Sequence, residues 1–125
     1  MEYDKLPIAT GGEAIRPELE GFDLHEVVVL KSLEDGRIIR TLINNSRVRK
    51  AVIIGMGYIA LEMCESLVKL KVAVDMVKPN PVFMPWLDPA MARIIQKDLE
   101  NRGVGIHTGY AVESIARGKD GLQVN

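Results

Sequence analysis

The chain has 125 residues, with 16 Lys and Arg against 17 Asp and Glu and a formal net charge of -1. That is room for one domain with a real core but not for two, and the near-neutral balance leaves no footprint for nucleic acid or an anionic membrane surface. No apolar run approaches the ~20 residues of a membrane span, no signal peptide opens the chain, and the single cysteine, Cys64, excludes an internal disulfide and fits a reducing, cytoplasmic setting.

Met1 to Gly21 reads as the tail of a preceding unit. Within it, Tyr3 to Ile8 is a short apolar strand that ends at the glycine pair Gly11-Gly12. Pro7 cannot donate a ladder bond, which confines this strand to a sheet edge. Val27 to Leu30 is a second short apolar run and predicts a strand. A helix then starts at Ser32, with Asp35 as a possible capping partner and Ile38, Ile39, Leu42 and Ile43 as its apolar stripe. Asn44-Asn45-Ser46 ends that helix. Arg47, Arg49 and Lys50 form a basic lead into the next segment, read as a solvated linker.

Ala51 to Leu70 is the organising stretch. Ala51-Val52-Ile53-Ile54 is a β-branched apolar run of the kind buried on both faces of a parallel sheet. Gly55-Met56-Gly57 interrupts it. Helical spacing follows, with Ile59, Met63, Leu67 and Leu70 on one face and Ala60, Cys64 and Val68 beside them. Strand, glycine turn and helix are the context that a dinucleotide fingerprint requires. Gly55 permits the tight turn, Gly57 lets backbone approach a pyrophosphate, and Ala60 allows close helix–strand packing. The phosphates would rest on the positive end of the helix. The plainer reading is a glycine-rich turn that binds nothing.

Val72 to Val77 predicts the second strand, followed by Lys78 where an acid would hold a ribose 2′-hydroxyl. Asp75 is the nearest acid, but it lies inside the strand. A lysine at the strand end could attract a 2′-phosphate as a point charge, which predicts weak selectivity leaning to NADPH; it could equally be an ordinary solvated lysine. Pro79-Asn80-Pro81 is a loop, and Val82 to Leu87 is an apolar connector packed on the core. Asp88-Pro89 starts a helix whose stripe is Met91, Ile94, Ile95 and Leu99. Gly103 ends it. Val104 to His107 is the third parallel strand, completing a right-handed βαβαβ unit. Tyr110 to Arg117 and Leu122 to Val124 read as a hairpin about Lys119-Asp120-Gly121. The fold class is therefore α/β, a Rossmann-like three-layer domain with an added antiparallel hairpin.

The order of these segments resembles the pyridine nucleotide-disulfide oxidoreductases, in particular their NADH oxidase and coenzyme A-disulfide reductase branch. YDKLPIATGG resembles the segment that closes the flavin domain, and VVVLKSLEDGRIIRTLI the connector that follows it. AVIIGMGYIALEMCESLVKL resembles the nicotinamide-domain fingerprint, and WLDPAMARIIQKDLENRGV the next helix and strand. The resemblance implies residues 1–21 as the tail of a flavin domain, 22–50 as connector and 51–125 as a C-terminally truncated NAD(P)-binding domain. It implies that Gly55, Met56, Gly57 and Ala60 form the pyrophosphate loop and that Tyr58 covers the nicotinamide pocket beside the flavin. Ile59 and Glu62 match positions lining that pocket, and Thr10 and Gly11 match flavin-contacting positions. Lys78 departs from the family's frequent acid.

The implied cofactors are NAD(P)H, and FAD in a longer protein whose missing flavin and interface domains would make a homodimer. The implied activity is hydride transfer to a flavin bound elsewhere. A 125-residue chain with no flavin site and no redox cysteine pair is expected to be inactive alone. Cys64 reads as inert packing, and neither His25 nor His107 has a second ligand at metal spacing. A nucleotide-binding module without chemistry, or a purely structural Rossmann-like domain, remains the alternative.

Overall fold

Apolar runs of strand length joined by helices satisfy their backbone groups by pairing in parallel, with each helix crossing over one face. The computed structural model, which describes residues 3–46 and 48–125, has that form. Its elements are α1 (Leu33–Ser46), β1 (Lys50–Ile54), α2 (Tyr58–Lys69), β2 (Ala73–Lys78), α3 (Pro89–Asn101), β3 (Gly105–Thr108), β4 (Ile115–Arg117) and β5 (Leu122–Val124). The parallel sheet has the order β1-β2-β3, and β4 pairs antiparallel with β5 in a second sheet. Ala51 lies opposite Val74 and Ile53 opposite Met76, while Met76 lies opposite Ile106. The α/β class, the βαβαβ unit and the added hairpin are as the sequence predicts. Among the described residues no helix is long and apolar enough to cross a membrane.

One core serves the helices and the sheet. Val74 and Met76 of β2 are buried with Cys64 and Leu67 of α2, Ala92 of α3, and Phe83 and Met84 of the connector. Complete burial of a side chain such as Met76 is worth ~1.5–3 kcal/mol. The predicted helix faces are rotated. On α2 the buried residues are Cys64 and Leu67, flanked by Ala60, Leu61, Met63 and Val68, whereas Ile59 and Leu70 are exposed. On α3 the inward line is Ala92, Ile95 and Leu99, and Met91 and Ile94 face out. In both helices a small residue, Cys64 or Ala92, is buried in the core. Of the larger side chains of the expected stripes, Leu67 stays inside, whereas Ile59, Met91 and Ile94 are exposed.

Two predicted strands are absent. Tyr3 to Ile8 and Val27 to Leu30 have no ladder partner and no strand geometry. Around Val27 the chain turns instead, with the Val27 N–H donating to the Leu24 carbonyl at 2.9 Å. Arg16 holds that turn by donating to the carbonyls of Phe22 at 2.8 Å and Val27 at 3.0 Å. The first hairpin strand is also shorter than expected, because Tyr110 still belongs to the sheet end: its N–H donates to the Lys78 carbonyl at 3.1 Å. The hairpin is tied to the preceding segment by an Ile115 N–H to Glu20 carbonyl bond of 2.8 Å and by the Glu26–Arg117 ion pair at 3.0 Å.

Helix starts follow the sequence closely. Ser32 and Asp35 form a reciprocal box, the Ser32 N–H donating to the carboxylate at 2.7 Å and the Asp35 N–H to the hydroxyl at 3.2 Å. Asp88 accepts from the N–H groups of Ala90 at 2.8 Å and Met91 at 3.3 Å, with Pro89 in the first turn. Of the basic lead, Arg49 is exposed and Lys50 is the first residue of β1. Arg47 lies outside the described residues.

Candidate functional site

The Gly55 turn leaves the sheet at its C-terminal edge and delivers the chain into α2. The Gly55 N–H extends the β1–β2 ladder by donating to the Val77 carbonyl at 2.8 Å, and its φ of +117° is open only to glycine. Met56 is buried and pins the turn to the core. Gly57 caps α2 with extended backbone (φ −88°) and no side-chain cap. Leu61 makes the bond to the Gly57 carbonyl, at 3.1 Å. The N–H groups of Tyr58, Ile59 and Ala60 are the ones a helix leaves over. A Cβ built on Gly57 would meet no atom within 4 Å, so nothing inside the chain demands a glycine there. No side chain caps these N–H groups, and the positive end of a helix dipole favours an anion there.

The candidate residues fall in three places. Met56 to Ala60 surround the turn, with Ala60 half-buried against the sheet; Tyr58 is 68% exposed and Ile59 64%. Glu62, one turn further on, is exposed and borders the groove between α2 and α3. Lys78 ends β2 beside the turn. Thr10 and Gly11 belong to the exposed segment ahead of Glu20 and, among the described residues, make no hydrogen bond to the turn.

Lys78 is not the solvated point charge its position suggests. Only 9% of it is exposed. Its Nζ donates to the Val82 carbonyl at 3.0 Å and lies 5.8 Å from the centre of the Trp86 ring. Trp86 in turn lies 5.9 Å from Tyr58, the ring planes inclined at 52°. Sequence reasoning placed Trp86 only in an apolar connector. Its one available signal was an aromatic eight positions after the strand-end lysine, on a loop that must return past the turn.

Asp75 stays away from the strand end. It lies opposite Val52 and Gly105 in the register and forms an ion pair with Lys50, with His107 Nε2 at 3.6 Å from its other oxygen. The hydrogen bond from Lys50, opposed in part by desolvation, holds the Asp75 carboxyl below the ordinary carboxylate range, with a smaller push from His107. Its carboxylate also fills the space that a Cβ on Gly105 would need. Burial pushes the Cys64 thiol up, which makes it a poor nucleophile. Among the described residues no three His, Cys, Asp or Glu side chains gather as a metal site.

Comparison with known proteins follows the same lines. The family model for pyridine nucleotide-disulphide oxidoreductases matches residues 1–125. An NADH oxidase of Methanocaldococcus jannaschii is 38% identical over 124 residues, which is 98% of this chain and 28% of that protein. The water-forming NADH oxidase of Lactobacillus brevis, solved with NADH bound, superposes with a TM-score of 0.85 at 26% identity, over 98% of this chain and 27% of that one. An engineered NADPH oxidase form of the same enzyme, solved with NADPH, superposes at 0.83, also at 26% identity and over 98% and 27% of the two chains. The chain thus spans little more than a quarter of the length of each of these three proteins. By its family match over all 125 residues, it belongs to the pyridine nucleotide-disulphide oxidoreductases.

Proposed function

We propose that this chain is the NAD(P)H-binding portion of an FAD-dependent oxidoreductase. Residues 51–125 form the dinucleotide-binding unit, 22–50 a connector and 1–21 the tail of a flavin domain. The observation that carries the reading is the uncapped N-terminus of α2 behind Gly55 and Gly57, in a family whose Lactobacillus brevis member was solved with NADH. The pyrophosphate would accept from the N–H groups of Tyr58, Ile59 and Ala60, aided by the helix dipole. Gly57 keeps the approach clear. Tyr58 and Ile59, exposed at the first turn, would flank the nicotinamide, with Glu62 one turn behind. Thr10 and Gly11 would meet a flavin held by other parts of a longer protein. Residues so placed would hold the dihydronicotinamide, whose chemistry when bound would be donation of a hydride to that flavin.

Calorimetric titration with NADH and NADPH tests this reading. The wild-type chain should bind both, and Gly57→Ala should weaken both on the order of tenfold, about 1.4 kcal/mol. Its far-UV circular dichroism should be unchanged, since the added methyl meets no protein atom within 4 Å. Absence of binding by wild type would favour a structural module instead. In the same samples NADH should not be consumed, because no acceptor is held against it; turnover by the purified chain without added flavoprotein rejects that part.

A further inference from the structure

We infer that Trp86 is a positioning residue for Tyr58 and sets how the nicotinamide end of the dinucleotide is received. This rests on the reading of Tyr58 as the aromatic beside the nicotinamide. Tyr58 is the first residue of α2 and 68% exposed. A ring so placed has few contacts to choose its rotamer, and ordering it on binding costs conformational entropy. Trp86 supplies a contact, its ring centre 5.9 Å from that of Tyr58 at 52°, within the range of tilted aromatic pairs.

Trp86 is itself 48% exposed, and two features fix it. Its neighbours Phe83 and Met84 are buried in the core and anchor the loop. Beneath it lies the Lys78 ammonium, 5.8 Å from the ring centre, held in place by the Val82 carbonyl at 3.0 Å. The sequence of contacts runs from the end of β2 through Lys78 and Trp86 to Tyr58 at the helix start. Core, loop and helix N-terminus are joined by side chains none of which is a catalytic residue. The role of Trp86 is to present the Tyr58 ring in one orientation before the ligand arrives.

The test compares NADH with ADP-ribose, which carries the pyrophosphate and adenosine but no nicotinamide. Trp86→Ala should raise the Kd for NADH about 3- to 10-fold and leave that for ADP-ribose within about twofold. Trp86→Phe should restore most of the loss, because a ring remains against Tyr58. In a double-mutant cycle, Trp86→Ala should cost little further in the Tyr58→Ala background. Equal weakening of both ligands overturns the proposal, since Trp86 would then serve the adenosine end or the fold. So does an unchanged or tightened NADH affinity. Failure of wild type to bind either ligand overturns the dinucleotide reading, and this proposal with it. A second measurement needs no nucleotide: Trp86 is the only tryptophan, and Tyr58→Ala should increase quenching of its fluorescence by acrylamide. No change in quenching overturns the Tyr58–Trp86 contact by itself.

Discussion

A strand-end lysine beside a glycine turn of this kind would ordinarily be assigned to phosphate, yet the Lys78 ammonium meets the Val82 carbonyl and the Trp86 ring. Drawing it out toward a 2′-phosphate would weaken both contacts, although two of its three N–H donors are not used by the Val82 bond. The gain from an exposed ion pair, ~0–1 kcal/mol, is then offset by weakening of the part-buried Val82 hydrogen bond. The Kd values for NADH and NADPH are therefore expected to agree within about threefold. Lys78→Met, which keeps the apolar stem, should alter both together and leave their ratio unchanged. A wild-type preference of tenfold or more for either rejects this. The paired Lactobacillus brevis structures, one with NADH and one with NADPH after five substitutions, bear on how few side chains separate the two forms of that enzyme. Asp75 answers to pH instead. Its carboxyl is held low chiefly by the hydrogen bond from Lys50. That contribution is complete above the ordinary carboxylate range and is lost as pH falls through the lowered value. Melting temperatures measured from pH 7 down to pH 3 should show a shallower acid decline for Asp75→Asn than for wild type. Parallel curves would show that the Lys50 pair adds nothing, as exposed pairs often do.

At the scale of elements, what the sequence made legible was whatever rests on local chemistry. The strands at Ala51, Val72 and Val104 were visible in their β-branched runs, and the helix starts at Ser32 and Asp88 in their caps. The Gly55 turn was visible because only glycine takes its backbone angle without strain. What depends on neighbours was not. Val27 to Leu30 has the composition of a strand, but a strand needs a partner and, among the described residues, none pairs with it. The inward faces of α2 and α3 were read in part: Cys64, Leu67, Ile95 and Leu99 do face the core, but hydropathy alone also favours Ile59 and Ile94, which are exposed, and passes over Ala92, which is buried. The role of Trp86 was hidden for the same reason, since its contacts span the chain from Tyr58 to Lys78. Capping, being local, also yields the firmest forecast for an element. Asp88→Ala removes the acceptor for two N–H groups and should lower unfolding stability by ~0.5–2 kcal/mol. Urea denaturation measures it; a midpoint equal to wild type would mean that water replaces the cap without loss.

For the molecule as a whole, the placement of β2 between its two neighbours has a consequence for solvent exchange. Each β1 amide points either toward β2 or away from it, in alternation. The Gly55 N–H points toward β2 and donates to the Val77 carbonyl. By alternation Ile53 does so too, and the amides of Val52 and Ile54 point outward, where no described strand pairs with β1. Those same two residues carry half-exposed side chains. Deuterium uptake along the four positions from Val52 to Gly55 should therefore be uneven: Ile53 and Gly55 slow, Val52 and Ile54 faster by orders of magnitude, the interior of β2 slow throughout. Residue-resolved exchange by NMR reads this directly. If Val52 and Ile54 prove as protected as Ile53 in the 125-residue chain, a second copy must be lending its own backbone to that border. Their protection would then rise and fall with protein concentration.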